Sequence, residues 1–340
     1  EVDQGKVGRS ATLGLGPLRL AEIAGDDRSA ATRAIDAALD GVAWLGDGGA
    51  RREVFYPVGG AWRTLARVHI AQHDYPLHII HGYRLAAPEA IDLARVVSRL
   101  GSRSTARFKA VSRKRAEIVP LAALVLERVL KRVKCRAVVF SSTGLREGQV
   151  YDLLSKAEQA RDPLLAAAAE IGARESRFGD LGLALLAWSE PLFPEQSASE
   201  RRLRQAACHL SDLAWRDHPD YRAELALARV LRLPLLGLDH PERCYLALAL
   251  HARYGGEADD PAIEAPKTLL TPEQAAKARA LGLAIRLAYS LSGATESLLK
   301  HSRLRCNGGK IGLDLPDGGA GDTVERRLKA LASALDLKAE

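Results

Sequence analysis

Methionine is absent from this 340-residue chain, which opens on Glu1; the expectation is either a fragment of a longer protein or a sequence from which modified methionines are missing. Cysteine is scarce. Cys135, Cys208, Cys244 and Cys306 stand far apart with no CxxC pair, which argues against a disulfide framework and leaves four buried thiols as the simple expectation. Long apolar runs are missing too. The longest windows, "PLAALVLERVL" and "LGLALLAW", are too short or too interrupted by charge to cross a bilayer, and no charged-then-apolar leader opens the chain. No membrane role and a cytoplasmic location are therefore expected. Neither GxGxxG nor a Walker loop is present, and there is no internal repeat or low-complexity tail.

What is present is ample apolar material, 47% of residues, with a net charge of +7. A chain of this length can bury a full core and divide into two domains. The charge suggests an anionic partner, with nucleic acid, phosphate polymers and acidic lipid all satisfying that preference.

The first half alternates strand and helix signals. Residues 28 to 45 place Ile35, Leu39, Val42 and Leu45 on one helical face, with Ser29 as the expected cap. "REVFYPVGG" reads as a strand ending in Gly59 and Gly60, and the helix after it carries Trp62, Leu65, Ala66 and Ile70 on one face and Arg63 and Arg67 on another. Further helices are expected from Pro88 to Leu100 and over "IVPLAALVLERVLKRV", then a strand at "RAVVF" and a helix opened by "GLREGQVYDLLS". This alternation argues for an α/β layer fold over residues 1–155. Residues 156–340, rich in Ala, Leu, Arg and Glu, read as an all-α domain with a short hairpin near 303–315 around Asn307, Gly308 and Gly309. Residues 255–266 read as an exposed loop, and Asp322 or Thr323 as the cap of a last helix.

Two strand-to-helix junctions carry the chemistry. In "VVFSSTGLREG", Ser141 to Gly144 would lie at the carboxyl end of a parallel strand, where open α/β sheets place ligands. Gly144 as cap would leave the amides of Leu145, Arg146 and Glu147 open to an anion, with Arg146 adding a full charge and Glu147 complementing the helix dipole. The Gly59–Gly60 junction repeats the pattern and lets a phosphate approach backbone without meeting a Cβ. An ordinary turn is the competing reading at each.

Between Arg99 and Arg115 there are seven basic residues and no acidic one. Arg107, Lys109, Arg113, Lys114 and Arg115 form the candidate patch for a polyanion, and a solvated face is the alternative. Phe108 is the lone aromatic there, so base stacking is poorly served and nucleic acid is not the favoured partner. His69 and His73, four apart on a helix, could hold a metal, but no carboxylate in the local pattern completes a site, and packing is the preferred reading. In the second half His209, Asp212, His218, Asp220, His240 and His251 offer no His-Asp dyad; Asp217–His218 and Asp239–His240 have the reverse order. No metal ligand is assigned.

In order along the chain, "VGGAWRTLARVH", "YPLHIIHGYRL", "SSTGLREGQVYDLL", "SDLAWRDHPDYR" and "LDHPERCYLALALHARYGG" resemble the exopolyphosphatase and guanosine pentaphosphate phosphohydrolase family. The resemblance implies two actin-like domains clasping a cleft, then a helical domain similar to metal phosphohydrolases that have lost their metal dyad. It places Gly59 and Gly60 at the glycine pair of the second actin-like domain, the Ser141–Gly148 turn at its cleft-facing connector, and Arg146 toward the phosphate chain. It also implies Mg²⁺, a carboxylate base and two phosphate loops, none of them found here; they are expected upstream of Glu1, so this piece alone is expected to be inactive. The expected activity is release of terminal phosphate from inorganic polyphosphate. Hydrolysis of guanosine pentaphosphate is the alternative, and a non-catalytic module binding polyphosphate or nucleotide is another. The size of the helical half allows a homodimer.

Overall fold

The computed structural model describes residues 1–3, 5–25, 27–46, 52–108, 111–315 and 321–340, without the side chains of Ser102, Arg103, Arg113 and Lys114. The chain divides into two compact units, Glu1–Leu153 and Leu154–Glu340.

In the first unit, α1 (Pro17–Ala24) and α2 (Arg28–Asp40) precede a three-stranded sheet built from β1 (Val54–Phe55), β2 (Tyr83–Ala86) and β3 (Ala137–Phe140), with β3 central. β3 runs parallel to β1, pairing Val54 with Ala137, and antiparallel to β2, pairing Tyr83 with Phe140. Three further helices are α3 (Gly60–Gln72), α4 (Ala87–Ser98) and α5 (Val119–Val133); α6 (Leu145–Asp152) closes the unit. The α/β reading holds, with corrections. The helix expected over 28–45 ends at Asp40, where Gly41 caps it, and a single 3₁₀ turn covers Ala43–Leu45. Its N-cap is Asp27, not Ser29, because the Asp27 carboxylate accepts the amides of Ser29 and Ala30. β2 was not read from the sequence.

α5 explains how so apolar a helix is satisfied. One side, through Val119, Ala123, Leu126 and Leu130, joins Leu65, Val97, Val138 and Phe140; the other, through Leu124 and Val125, joins Leu20, Ile35 and Leu39. Its one buried acid, Glu127, is ion-paired with Lys131 at 2.6 Å, Arg95 at 3.6 Å and Arg28 at 3.7 Å. Burial pushes its carboxyl up, but the three cations outweigh that and hold its pKa below the ordinary value. A depressed folded-state pKa gives stability that is fully present above the unfolded-state value and is lost as pH falls through the folded one. We predict that Glu127→Gln costs about 1–2 kcal/mol at pH 7, less than a fully buried pair because the cations stay partly in water. The difference in thermal midpoint from the parent chain should shrink below roughly pH 4; a difference constant from pH 7 to 3 would refute this account.

The second unit is helical. It contains α7 (Pro163–Glu175), α8 (Gly182–Trp188), α9 (Ala198–His209), α10 (Arg222–Arg232), α11 (His240–Arg253), α12 (Pro261–Lys267) and α13 (Pro272–Ser292), then β4 (Arg303–Asn307), β5 (Lys310–Asp314), α14 (Asp322–Ala334) and β6 (Lys338–Ala339). The expected hairpin is β4–β5 around Gly308–Gly309, and β6 adds a parallel third strand. The loop expected over 255–266 is partly helix: Asp260 accepts the amide of Ala262 and starts α12. The last helix starts behind Gly321, so neither Asp322 nor Thr323 is its cap. α11 is buried along almost its whole length and is crossed by α13 at Gly282, where a Cβ would lie 2.2 Å from the carbonyl oxygen of Ala249. Among the described residues no helix is long and apolar enough to cross a membrane.

Candidate functional site

The parallel pairing of β1 with β3 sets their two following turns side by side. Gly59 caps α3 at φ 136°, a conformation that glycine adopts and other residues resist. Gly144 caps α6, and a Cβ on it would lie 3.5 Å from Cγ1 of Val58, so the two turns touch. Arg63 binds them together: its guanidinium donates to the Ser142 carbonyl at 2.8 Å and to the Gly59 carbonyl at 3.4 Å. Arg115 lies against the Gly60 turn, 3.2 Å from where a Cβ would stand, and donates to Thr64 Oγ1 at 3.4 Å. Partial burial, then the charges of Arg115 and Arg63, lower the pKa of Arg67, which places three guanidiniums in one field.

The structure thus brings together Gly59, Gly60, Ser141, Gly144 and Arg115, and adds Arg63. Arg146 is exposed, and its charge is among those that lower the pKa of Glu147. Arg107 is exposed as well; Lys109 and the side chains of Arg113 and Lys114 lie outside the described residues. One expectation changes in part: of the three amides expected to face an anion, that of Glu147 is engaged by its own carboxylate. Glu147 folds back so that its carboxylate accepts the Gly144 amide at 2.6 Å, and hydrogen bonds from its own amide and that of Gly144 hold its pKa below the usual carboxylate range. An incoming anion there must displace this carboxylate. Beside the glycine turn lies an apolar cavity of about 550 Å³, lined by Leu13, Leu15, Val58, Gly60 and Trp62.

The histidines also differ from expectation. Glu89 of α4 reaches His69, with its Oε1 3.3 Å from Nε2, so a carboxylate does join the His69–His73 pair. Burial, then the neighbouring His73, lower the pKa of His69. In the second unit His209 pairs with Asp180 and His251 with Asp260, while Asp212 accepts two bonds from the Arg177 guanidinium, at 2.8 and 3.1 Å. His218 and Asp220 are exposed.

The second unit has its own cationic cluster, which sequence reading missed because its members come from α11, α13 and α14. Arg253 is 7% exposed and stacks 3.8 Å from the ring centroid of Tyr289; its Nε and Nη2 have no hydrogen-bond partner, though Nη2 lies 3.6 Å from Asp212. The Arg286 guanidinium lies against Gly255, and Arg327 donates to the Arg286 carbonyl. Burial, then Arg253 and Arg326, lower the pKa of Arg286. Asp212 and Glu257 offset part of this charge, and the unpartnered Nε of buried Arg253 leaves room for an anion.

Comparison with known proteins agrees with the two-unit layout. Residues 2–157 match the Ppx/GppA phosphatase family, and residues 164–339 match the family described as exopolyphosphatase, C-terminal. Retrograde regulation protein 2 of Saccharomyces cerevisiae is 29% identical over 212 residues, covering 58% of this chain and 35% of the yeast protein. The chain therefore spans about a third of the length of the curated relative it matches. With both units matched in order, the chain belongs to the Ppx/GppA phosphatase family.

Proposed function

We propose that this chain serves a phosphohydrolase acting on inorganic polyphosphate, and that its first unit, read as an actin-like half, supplies the wall that holds the phosphate chain. The observation that carries the reading is Arg63 joining two turns at the carboxyl ends of parallel strands, with Arg115 at the second glycine. Hydrolysis of a terminal phosphoanhydride by water needs mainly positioning and positive charge. Arg63, Arg67 and Arg115 provide the charge, and the glycine turns let the phosphates reach backbone amides.

Mg²⁺, which the family resemblance implies, is assigned no ligand at these turns: it is held by one or two carboxylates with waters and substrate phosphates, and the Glu147 carboxylate there is engaged by Gly144. No step is assigned to it, and none of these residues is assigned as the base. Guanosine pentaphosphate is the second reading, favoured by the apolar cavity at Trp62, which offers a place for a base next to the phosphate turns.

Equilibrium binding of long-chain polyphosphate and of guanosine pentaphosphate to this chain, measured side by side, tests the two readings; binding of neither would remove both. We further predict that Arg286→Ala with Arg327→Ala weakens the binding of long polyphosphate to this chain about 10-fold, the effect of losing about 1.4 kcal/mol of binding. Unchanged affinity would show that the second unit's arginines do not hold a polyanion.

A further inference from the structure

We propose that His69, His73 and Glu89 form a binding site for a divalent transition metal of the zinc class, at the carboxyl end of α3. Each residue offers one ligand atom, and these atoms all lie within 4.8 Å of one another. The two imidazoles, four residues apart, are stacked with centroids 3.9 Å apart and planes 15° from parallel. Glu89 enters from the first turn of α4, brought there by the short strand β2.

The arrangement has the outer shell that a metal site requires. His69 Nδ1 is hydrogen-bonded to the hydroxyl of buried Tyr83 at 2.7 Å, and His73 Nδ1 lies 3.0 Å from the His69 carbonyl oxygen. The Nδ1 of His69 is thus held, which leaves its Nε2 as the ligand; metal-binding histidines characteristically fix the second ring nitrogen in this way. Two imidazoles and a carboxylate suit Zn²⁺, Co²⁺ or Ni²⁺, whereas Mg²⁺ and Ca²⁺ take oxygen ligands. A tetrahedral site with bonds of about 2.0–2.1 Å sets neighbouring ligand atoms roughly 3.3 Å apart, the spacing His69 and Glu89 already have. His69 is 5% exposed and fixed by its neighbours, while His73 and Glu89 are exposed; the His73 ring would turn out of its stack on His69, releasing its Nδ1 contact, so that both in-plane Nε2 lone pairs meet on the ion. Water would fill the fourth position. The bound ion would join the end of α3 to the start of α4, a region distinct from the glycine turn at the other end of α3.

The test uses the full 340-residue chain, free of any affinity tag and stripped with a chelator, and titrates Zn²⁺ against a chromophoric competitor. One equivalent should bind, and Co²⁺ should give the intense visible absorption of a four-coordinate ion. His73→Ala and Glu89→Gln, both at exposed positions, should each weaken Zn²⁺ by at least about 100-fold, and Tyr83→Phe by about 10-fold, in line with loss of an outer partner. Zn²⁺ should raise the thermal midpoint of the parent chain and not that of the two ligand variants. No binding by the parent, or equal affinity in His73→Ala and Glu89→Gln, overturns the site.

Discussion

Arg63→Ala should weaken the binding of medium-length polyphosphate by about 10- to 100-fold, because a charge-assisted hydrogen bond contributes about 1.5–3 kcal/mol. The substitution also removes the donor that joins the Ser142 and Gly59 carbonyls, so the two turns lose their common brace. Arg63→Lys keeps the charge but not the planar fork and should recover only part of the loss. Arg146→Ala should cost less than Arg63→Ala, since Arg146 is exposed. Equilibrium binding to a chain of defined length, with far-UV circular dichroism to verify folding, decides it. Unchanged affinity in Arg63→Ala, or a larger loss in Arg146→Ala, would refute the assignment.

Gly282→Ala should destabilise the second unit by about 3 kcal/mol, the upper end of the usual overpacking cost. An added Cβ would stand 2.2 Å from the Ala249 carbonyl oxygen and 2.9 Å from the Arg253 amide nitrogen. Both are backbone atoms of buried α11, so the two helices must separate. Alanine's better helix propensity, about 1 kcal/mol over glycine, cannot offset that separation. For a unit of this size the loss corresponds to a fall of roughly 6–12 °C in the thermal midpoint. Gly148→Ala, inside α6 with nothing near its would-be Cβ, should be neutral or stabilising. Calorimetry on both variants checks the pair; a Gly282→Ala transition within a degree of the parent would refute the close approach.

Elements written in long apolar repeats could be read directly: α2, α3 and α5 stand near their expected positions because one face of each must be buried. β2 could not, since four residues between a turn and a helix carry too little alternation to distinguish a strand. The caps show the same limit. Ser29 and Asp27 are both good N-cap residues, and only the backbone path selects Asp27. At the candidate site the individual residues were legible but their neighbours were not. Arg63 was visible as a face of α3, yet its reach to Ser142, 79 positions on, depends on β1 pairing with β3. Glu89 lies too far from His69 in sequence for any local pattern to join them, and Glu147 was read as a dipole partner when it also occupies the Gly144 amide.

Because α5 lends opposite sides to two apolar clusters, the N-terminal helices and the sheet have no separate cores to fall back on. Chimeras between relatives should therefore exchange residues 17–133 as a block: a crossover inside it would pair one parent's spine with the other's cladding and mismatch both at once.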